Sequence, residues 1–216
     1  MGNLELITII VIAINVVASF KGFSDFTFFE TYKFQVGPIR RGEHIRMFSS
    51  GFLHVDQMHL FFNMFTLYVF ADEVIAYLGK TPFLLIYIAS LLVGNMLSLY
   101  FHKDEYQYSA VGASGAVTGI VYAAILLRPD MSLYLMLIPI PIPAYVFGVG
   151  YLMYSIYGMK KRHDNIGHDA HFGGAIGGYV LTLLFAPYLF SQHLGMVALL
   201  AVPIVLLYVL RKMGKL

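Results

Sequence analysis

Apolar runs long enough to cross a bilayer recur along this chain, and they restrict its fold more than any other feature. A hydrocarbon core about 30 Å thick is crossed by about 20 helical residues at 1.5 Å each. Runs of that kind fall at Leu4–Phe20, Met58–Leu78, Pro82–Phe101, Pro143–Tyr157, His171–Phe190 and Leu194–Leu210, with a shorter one at Ser114–Leu127. Backbone polar groups in hydrocarbon must be satisfied within their own segment, so each run is expected to be a helix. The expected fold is an all-α polytopic membrane protein, a single domain over residues 1–216 with seven spans in the cell membrane. The composition agrees, with 59% hydrophobic and 12% charged residues, where a soluble domain carries about a quarter charged. No basic n-region or convincing cleavage site marks the N-terminus, so the first run is read as a retained helix.

Between the spans, "IPIPIP" at 138–143 cannot be helix interior, because each proline fixes φ and removes a donor. It is read as a stiff entry to the fifth span. Lys21–Val55 is too rich in Phe and Tyr for a solvated loop and is expected to lie against or partly in the membrane. Five Lys/Arg fall in Lys21–Arg46, one at Lys103 and three at Lys160–Arg162, against Lys80 and Arg128 on the opposite side. Basic loops face the cytoplasm, which would put the 21–55 segment there.

Several chemistries are excluded. Cys is absent, which removes disulfides, thiolate catalysis and Cys-based zinc sites. The net charge of +2 offers nothing to a nucleic acid. His168 and His171 are close enough in sequence to share a metal, but no HExxH motif or carboxylate-rich helix supplies further ligands, so no metal or cofactor is expected.

What remains is a small set of polar residues in apolar helices, each a functional candidate because it is costly there. In "HVDQMHLFFNMF" (54–65), His59 and Asn63 are four apart and share a helical face, whereas His54 is expected to point elsewhere. Asp56 and Gln57 read as a helix cap and first-turn residue. "AVGASGAVTG" (110–119) sets Ser114 among Gly112, Gly115 and Gly119, and "HDAHFGGAIGGYV" (168–180) sets His171 before Gly174 and Gly178. Each motif alone also reads as simple helix packing, since GxxxG lets backbones approach and His or Asn bonds helices together. Together they suggest more. Two glycine-faced helices can bring a serine and an imidazole within hydrogen-bond reach, the minimum apparatus for nucleophilic acyl transfer. His59, Asn63 and the Ser114 backbone N–H could then hold a developing oxyanion.

With those residues in place, the chain resembles the rhomboid intramembrane serine proteases. The resemblance rests on "GASG" at 112–115, "AHFGGAIGG" at 170–178 and "HVDQMHLFFN" at 54–63, in order on separate apolar helices, and extends over about Arg46 to Tyr179, including "DNIGHDAHFGG". It implies a six-helix core over about residues 1–190, plus a seventh helix at about 192–211. It implies a serine endopeptidase that cleaves transmembrane protein substrates near a helix end, with Ser114 as nucleophile and His171 as base. Gly112, His59 and Asn63 match the oxyanion region, while His54, Glu73 and Arg46 match positions that support structure. In that family the active-site mouth faces away from the cytoplasm, against the loop charge here. Two positions depart from the pattern: Ile45 stands where Trp is common, and Thr118 where an aromatic ring commonly stacks under the histidine. The competing reading is a catalytically inactive rhomboid-like protein that binds or escorts membrane helices.

Overall fold

A computed structural model describes residues 5–135, 138–162 and 166–216, without the side chains of 134, 135, 138 and 139. Leu4, and Asp164 and Asn165 of the "DNIG" stretch, therefore lie outside the described residues. In chain order the elements are α1 (Leu6–Ser24), α2 (Phe26–Tyr32), β1 (Phe34–Gln35), α3 (Val36–Arg40), α4 (Arg46–Ser49), a 3-10 turn (Ser50–Phe52) and α5 (Gln57–Leu78). They continue with α6 (Lys80–Phe101), β2 (Ser109–Ala110), α7 (Ser114–Leu127), β3 (Ser132–Leu135), β4 (Ile138–Pro143), α8 (Ala144–Lys161), α9 (His168–Phe185), α10 (Leu189–Gln192) and α11 (Leu194–Lys212).

The seven long helices fall on the seven apolar runs, and the fold is that of an all-α polytopic membrane protein. Of these, α1, α5, α6 and α11 are long and apolar enough to cross a membrane by length and composition. Large apolar side chains such as Val17, Leu184, Val205 and Tyr208 are exposed on the outside of the bundle. In water such a surface would aggregate, so it is the face turned to lipid.

Several features differ from the sequence reading, and the helix expected to end at Tyr157 runs on to Lys161. The helix expected at His171–Phe190 starts a turn earlier at His168 and stops at Phe185, because Pro187 lacks the donor needed to continue it; α10 follows separately. The first helix runs on to Ser24. "IPIPIP" is more than a stiff lead-in: it pairs antiparallel with β3, with Leu133 opposite Ile142. Prolines at every second position put the missing N–H groups on one edge of the strand, leaving the other edge able to pair.

The core is built on α7, which has every residue from Gly115 to Leu127 buried. It packs against α6, α9 and α5, with α8 against α9 and with α1 and α11 peripheral. The seam between α7 and α9 is a glycine zipper. A Cβ on Gly174 would overlap the Gly115 carbonyl oxygen, and one on Gly178 would overlap that of Gly119. Ser90 of α6 faces both Gly119 and Gly177, so the third helix uses the same small-residue seam.

Only 14 residues long, α7 rises about 21 Å, some 10 Å short of the hydrocarbon thickness. Its C-terminal end is anchored where Arg128 pairs with Glu73 of α5. Its N-terminus lies towards the opposite end of the bundle. That end is roofed by the 21–55 segment, where β1 pairs with β2 just before α7. The basic residues collect there too. Arg46 is buried, donating to the carbonyls of Glu30 at 2.7 Å and Lys33 at 3.1 Å and pairing with Glu43. Arg211, near the end of α11, lies over the rings of Tyr100 and Phe101 at the end of α6.

Candidate active site

Ser114 is the first residue of α7, and its preceding cap residue, Ala113, offers no side-chain hydrogen bond. The opening backbone N–H groups of a helix have no intrahelical acceptors, so this end presents free donors and a positive dipole. It faces a cavity of about 960 Å³ lined by Ser114, His171, His59, Asn63 and Gly112 together with Asn95 and Tyr151. The structure therefore brings all five expected catalytic and oxyanion residues, from three helices and one loop, to one space.

The glycine seam sets the register of the first two. Gly115, next to Ser114, faces the carbonyl of Ala170, next to His171, so closely that an added Cβ would lie 3.2 Å from that oxygen. Both side chains then emerge at the same level of the bundle. His171 is 8% exposed, at the start of α9, with its backbone N–H bonded to Gly167 at 3.0 Å.

Gly112 holds a φ of +135°, a conformation that L side chains rarely adopt. A Cβ there would also lie 2.9 Å from His59 Nε2 and 3.6 Å from Ser114 Oγ. The missing side chain thus leaves an atom-sized space bounded by the His59 ring and the Ser114 hydroxyl. Asn63, 7% exposed, donates from Nδ2 to the His59 carbonyl at 3.0 Å. The cap expected at Asp56 is present, its Oδ1 accepting from the His59 backbone N–H at 2.7 Å.

One expectation fails. His54 does not point away from His59; the two rings meet edge-to-face at 4.9 Å. Helical spacing does not apply to it, because α5 starts only at Gln57 and His54 sits in the preceding loop. Its Nδ1 lies 2.8 Å from Ser19 Oγ, which bonds the Phe52 carbonyl at 3.0 Å, and its Nε2 is 3.4 Å from the Ala113 N–H. With the Ser19 proton on Phe52, Nδ1–H donates to Ser19 and Nε2 accepts from Ala113. His54 is thus a strut between α1 and the loop carrying Gly112. Burial, and secondarily the neighbouring His59, push its pKa down to about 3.

The start of α9 has a second tie. His102 stacks flat on Tyr108 at 3.5 Å, lies 3.0 Å from Glu105 and 3.5 Å from Asp169. His102 and then Arg162 hold Glu105 below the usual carboxylate range, while burial and the Asp169 charge push the Tyr108 phenol up. No group of three metal-ligating side chains occurs among the described residues.

The sequence reading missed Tyr151. Its hydroxyl lies 2.6 Å from His171 Nδ1, and the two rings are 5.7 Å apart at 27°. The signal was an aromatic spacing on α8: Phe147 and Tyr151 are four apart and stack at 5.8 Å. Ile45, at the position where Trp was the common choice, is 60% exposed and does not line the cavity.

The fold and cavity define a multi-pass helical membrane protein with a serine, two histidines and an asparagine gathered around one cavity. A family model described as the Rhomboid domain matches residues 41–188, and the chain belongs to the rhomboid family. Over 148 residues it is 32% identical to YdcA of Bacillus subtilis, which carries a provisional rhomboid-protease name; the match covers 68% of this chain and 69% of that one. It is 31% identical over 144 residues to RHOMBOID-like protein 12, mitochondrial, of Arabidopsis thaliana, covering 60% and 43%. It is 28% identical over 137 residues to Rhomboid protein 1, mitochondrial, of Saccharomyces cerevisiae, covering 62% and 40%. The matches span about two fifths of the plant and yeast relatives.

Proposed function

We propose that this protein is an intramembrane serine endopeptidase cleaving transmembrane segments near a helix end. The observation that carries the reading is the shared cavity, which Ser114 at a helix start and His171 on the adjoining helix line together with Gly112 and His59. The domain is one membrane unit, a core to about residue 190 with α11 added to it, and all seven long helices cross the bilayer. The membrane is the cell membrane on this reading; fractionation of a tagged chain distinguishes that from the mitochondrial location named for the plant and yeast relatives.

A peptide bond within a helix has its carbonyl occupied, so the substrate helix must unwind locally, which glycine or proline makes cheaper. Ser114 Oγ then attacks the exposed carbonyl carbon as His171 takes its proton. The oxyanion forms against the Ser114 N–H, His59 and Asn63, and collapse of this intermediate expels the amine with the proton from His171. Water, activated by His171, hydrolyses the acyl-enzyme. The recessed start of α7 suits this chemistry, since the site is lateral to lipid yet reached by water through the cavity. Cutting of a reporter transmembrane substrate in proteoliposomes tests the reading: Ser114→Ala should abolish it with folding intact. A wild-type protein that binds the reporter and leaves it uncut would favour the helix-binding, inactive alternative.

A further inference from the structure

Resting on that protease reading, we propose that Asn95 of α6 is a positioning residue for the reaction. Its side-chain amide holds the turn at 47–50, and the Ser50 carbonyl in turn fixes the backbone of Gly112 beside Ser114.

Both protons of the amide are committed to one turn. Asn95, 6% exposed at the cavity wall, donates from Nδ2 to the Met47 carbonyl at 2.7 Å and to Ser50 Oγ at 3.1 Å. A side-chain amide nitrogen carries two donors, and this fork keeps the turn from pivoting about a single bond. The carbonyl of Ser50, itself a buried residue, accepts the Gly112 N–H at 3.0 Å and the Leu53 N–H at 3.3 Å. The Gly112 N–H is therefore not offered to an oxyanion. Its bond instead sets the peptide plane from which the chain swings, at a φ of +135°, into α7. A tilt of that plane would shift the space between Gly112 and the His59 ring, and with it the adjoining Ser114 N–H.

The same turn of α6 also faces the base. An added Cβ on Gly94 would lie 2.6 Å from the Ala170 carbonyl oxygen, and Ala170 precedes His171 in α9; one on Gly51 would overlap Leu91. Residues 91–95 thus touch the roof on one side and the start of α9 on the other. Asn95 supplies the directional part of this contact, because apolar burial such as that of Leu91 on Gly51 has no preferred direction. An asparagine that only joined elements together could bond any carbonyl of the roof; this one bonds the residue that Gly112 uses. Misplacement by about 1 Å at a reacting site can cost about 100-fold in rate, so holding Gly112 bears on rate as well as on cohesion. Asn95 acts through Ser50 and Gly112 and not on the substrate.

The experiment compares Asn95→Leu with Tyr179→Phe, which deletes a bond away from the roof, that of the Tyr179 hydroxyl to the Val197 carbonyl at 2.9 Å between α9 and α11. Asn95→Ala takes the place of Asn95→Leu should the larger side chain prevent folding. Exchange of the Gly112 amide with deuterium is read on the 15N-glycine protein in micelles, with Gly112→Ala assigning the resonance. It should speed up about tenfold in Asn95→Leu and keep the wild-type rate in Tyr179→Phe. In parallel, turnover of the reporter should fall about tenfold in Asn95→Leu with KM little changed, while Tyr179→Phe keeps its kcat. Gly112 exchange unaltered by the loss of Asn95, or an equal fall of kcat in Tyr179→Phe, overturns the proposal. A protein that shows the exchange pattern but whose wild type cuts nothing overturns the protease reading and leaves the hold on Gly112 standing.

Discussion

Gly174 packs on the backbone carbonyl of Gly115 with no space for a Cβ between them, and this contact fixes the height of α7, which carries Ser114, against α9, which carries His171. A methyl group there must push α9 away from α7. Gly174→Ala should cost about 1–3 kcal/mol of stability and reduce turnover far more than a comparable insertion elsewhere. Gly150, on α8, has nothing within 4 Å of its virtual Cβ, and Gly150→Ala is the control. Thermal unfolding in detergent and reporter cleavage, measured on both variants, check this.

Gly112 is constrained twice, by its φ of +135° and by the His59 ring against it. Gly112→Ala should place a methyl group where the oxyanion would form and lower kcat/KM about 100-fold. The variant should also lose some stability, because an L residue is strained at that φ. Cleavage kinetics beside a melting curve separate the two effects.

Asn63 is proposed to act on the transition state and not on substrate affinity. Asn63→Ala should therefore lower kcat about 10²–10³-fold with KM little changed. A change confined to KM would assign Asn63 to packing.

His54 gives the fold a pH dependence of known sign. Its folded pKa, about 3, lies well below the model-peptide value of 6.5, so the unfolded chain binds more protons over that interval. Stability should be full above pH 6.5 and fall as the pH drops towards 3. Between pH 6.5 and 5 the carboxylates stay ionised, and the acid-induced fall in Tm over that range should be smaller in His54→Gln than in wild type.

Basic residues gather at the mouth. Lys21, Lys33, Arg40, Arg41, Arg46, Lys103, Lys160, Lys161, Arg162, Arg211, Lys212 and Lys215 lie at that end, leaving Lys80 and Arg128 at the other. Loop charge alone would put the mouth towards the cytoplasm, against the orientation that the family resemblance implies. The chain has no cysteine, so single introduced ones report cleanly. An impermeant maleimide added to intact cells should label Lys80→Cys and spare Lys160→Cys; the reverse pattern would mean that the fold's inherited orientation overrides its loop charge.

Much of this was legible in the sequence, because hydrocarbon leaves few options. Apolar runs had to be helices, and the facing Gly115/Gly119 and Gly174/Gly178 pairs had to be a packing seam. Residues whose placement depends on chain direction outside helices were less legible. His54 lies in a loop, where period-3.6 reasoning fails, and the pairing of Ile138–Pro143 depends on a partner strand that periodicity does not reveal. Tyr151 was hidden for another reason. Its role arises between α8 and α9, and in sequence it is one tyrosine among several on an apolar helix.

The central claim is that Ser114 is a nucleophile activated by His171, and covalent labelling by a fluorophosphonate tests it most directly. Purified wild-type protein in detergent should take up the probe on the peptide containing Ser114, read by mass spectrometry, while Ser114→Ala and His171→Ala should take up none. Labelling that persists in Ser114→Ala, or a folded wild-type protein that never reacts, would contradict it.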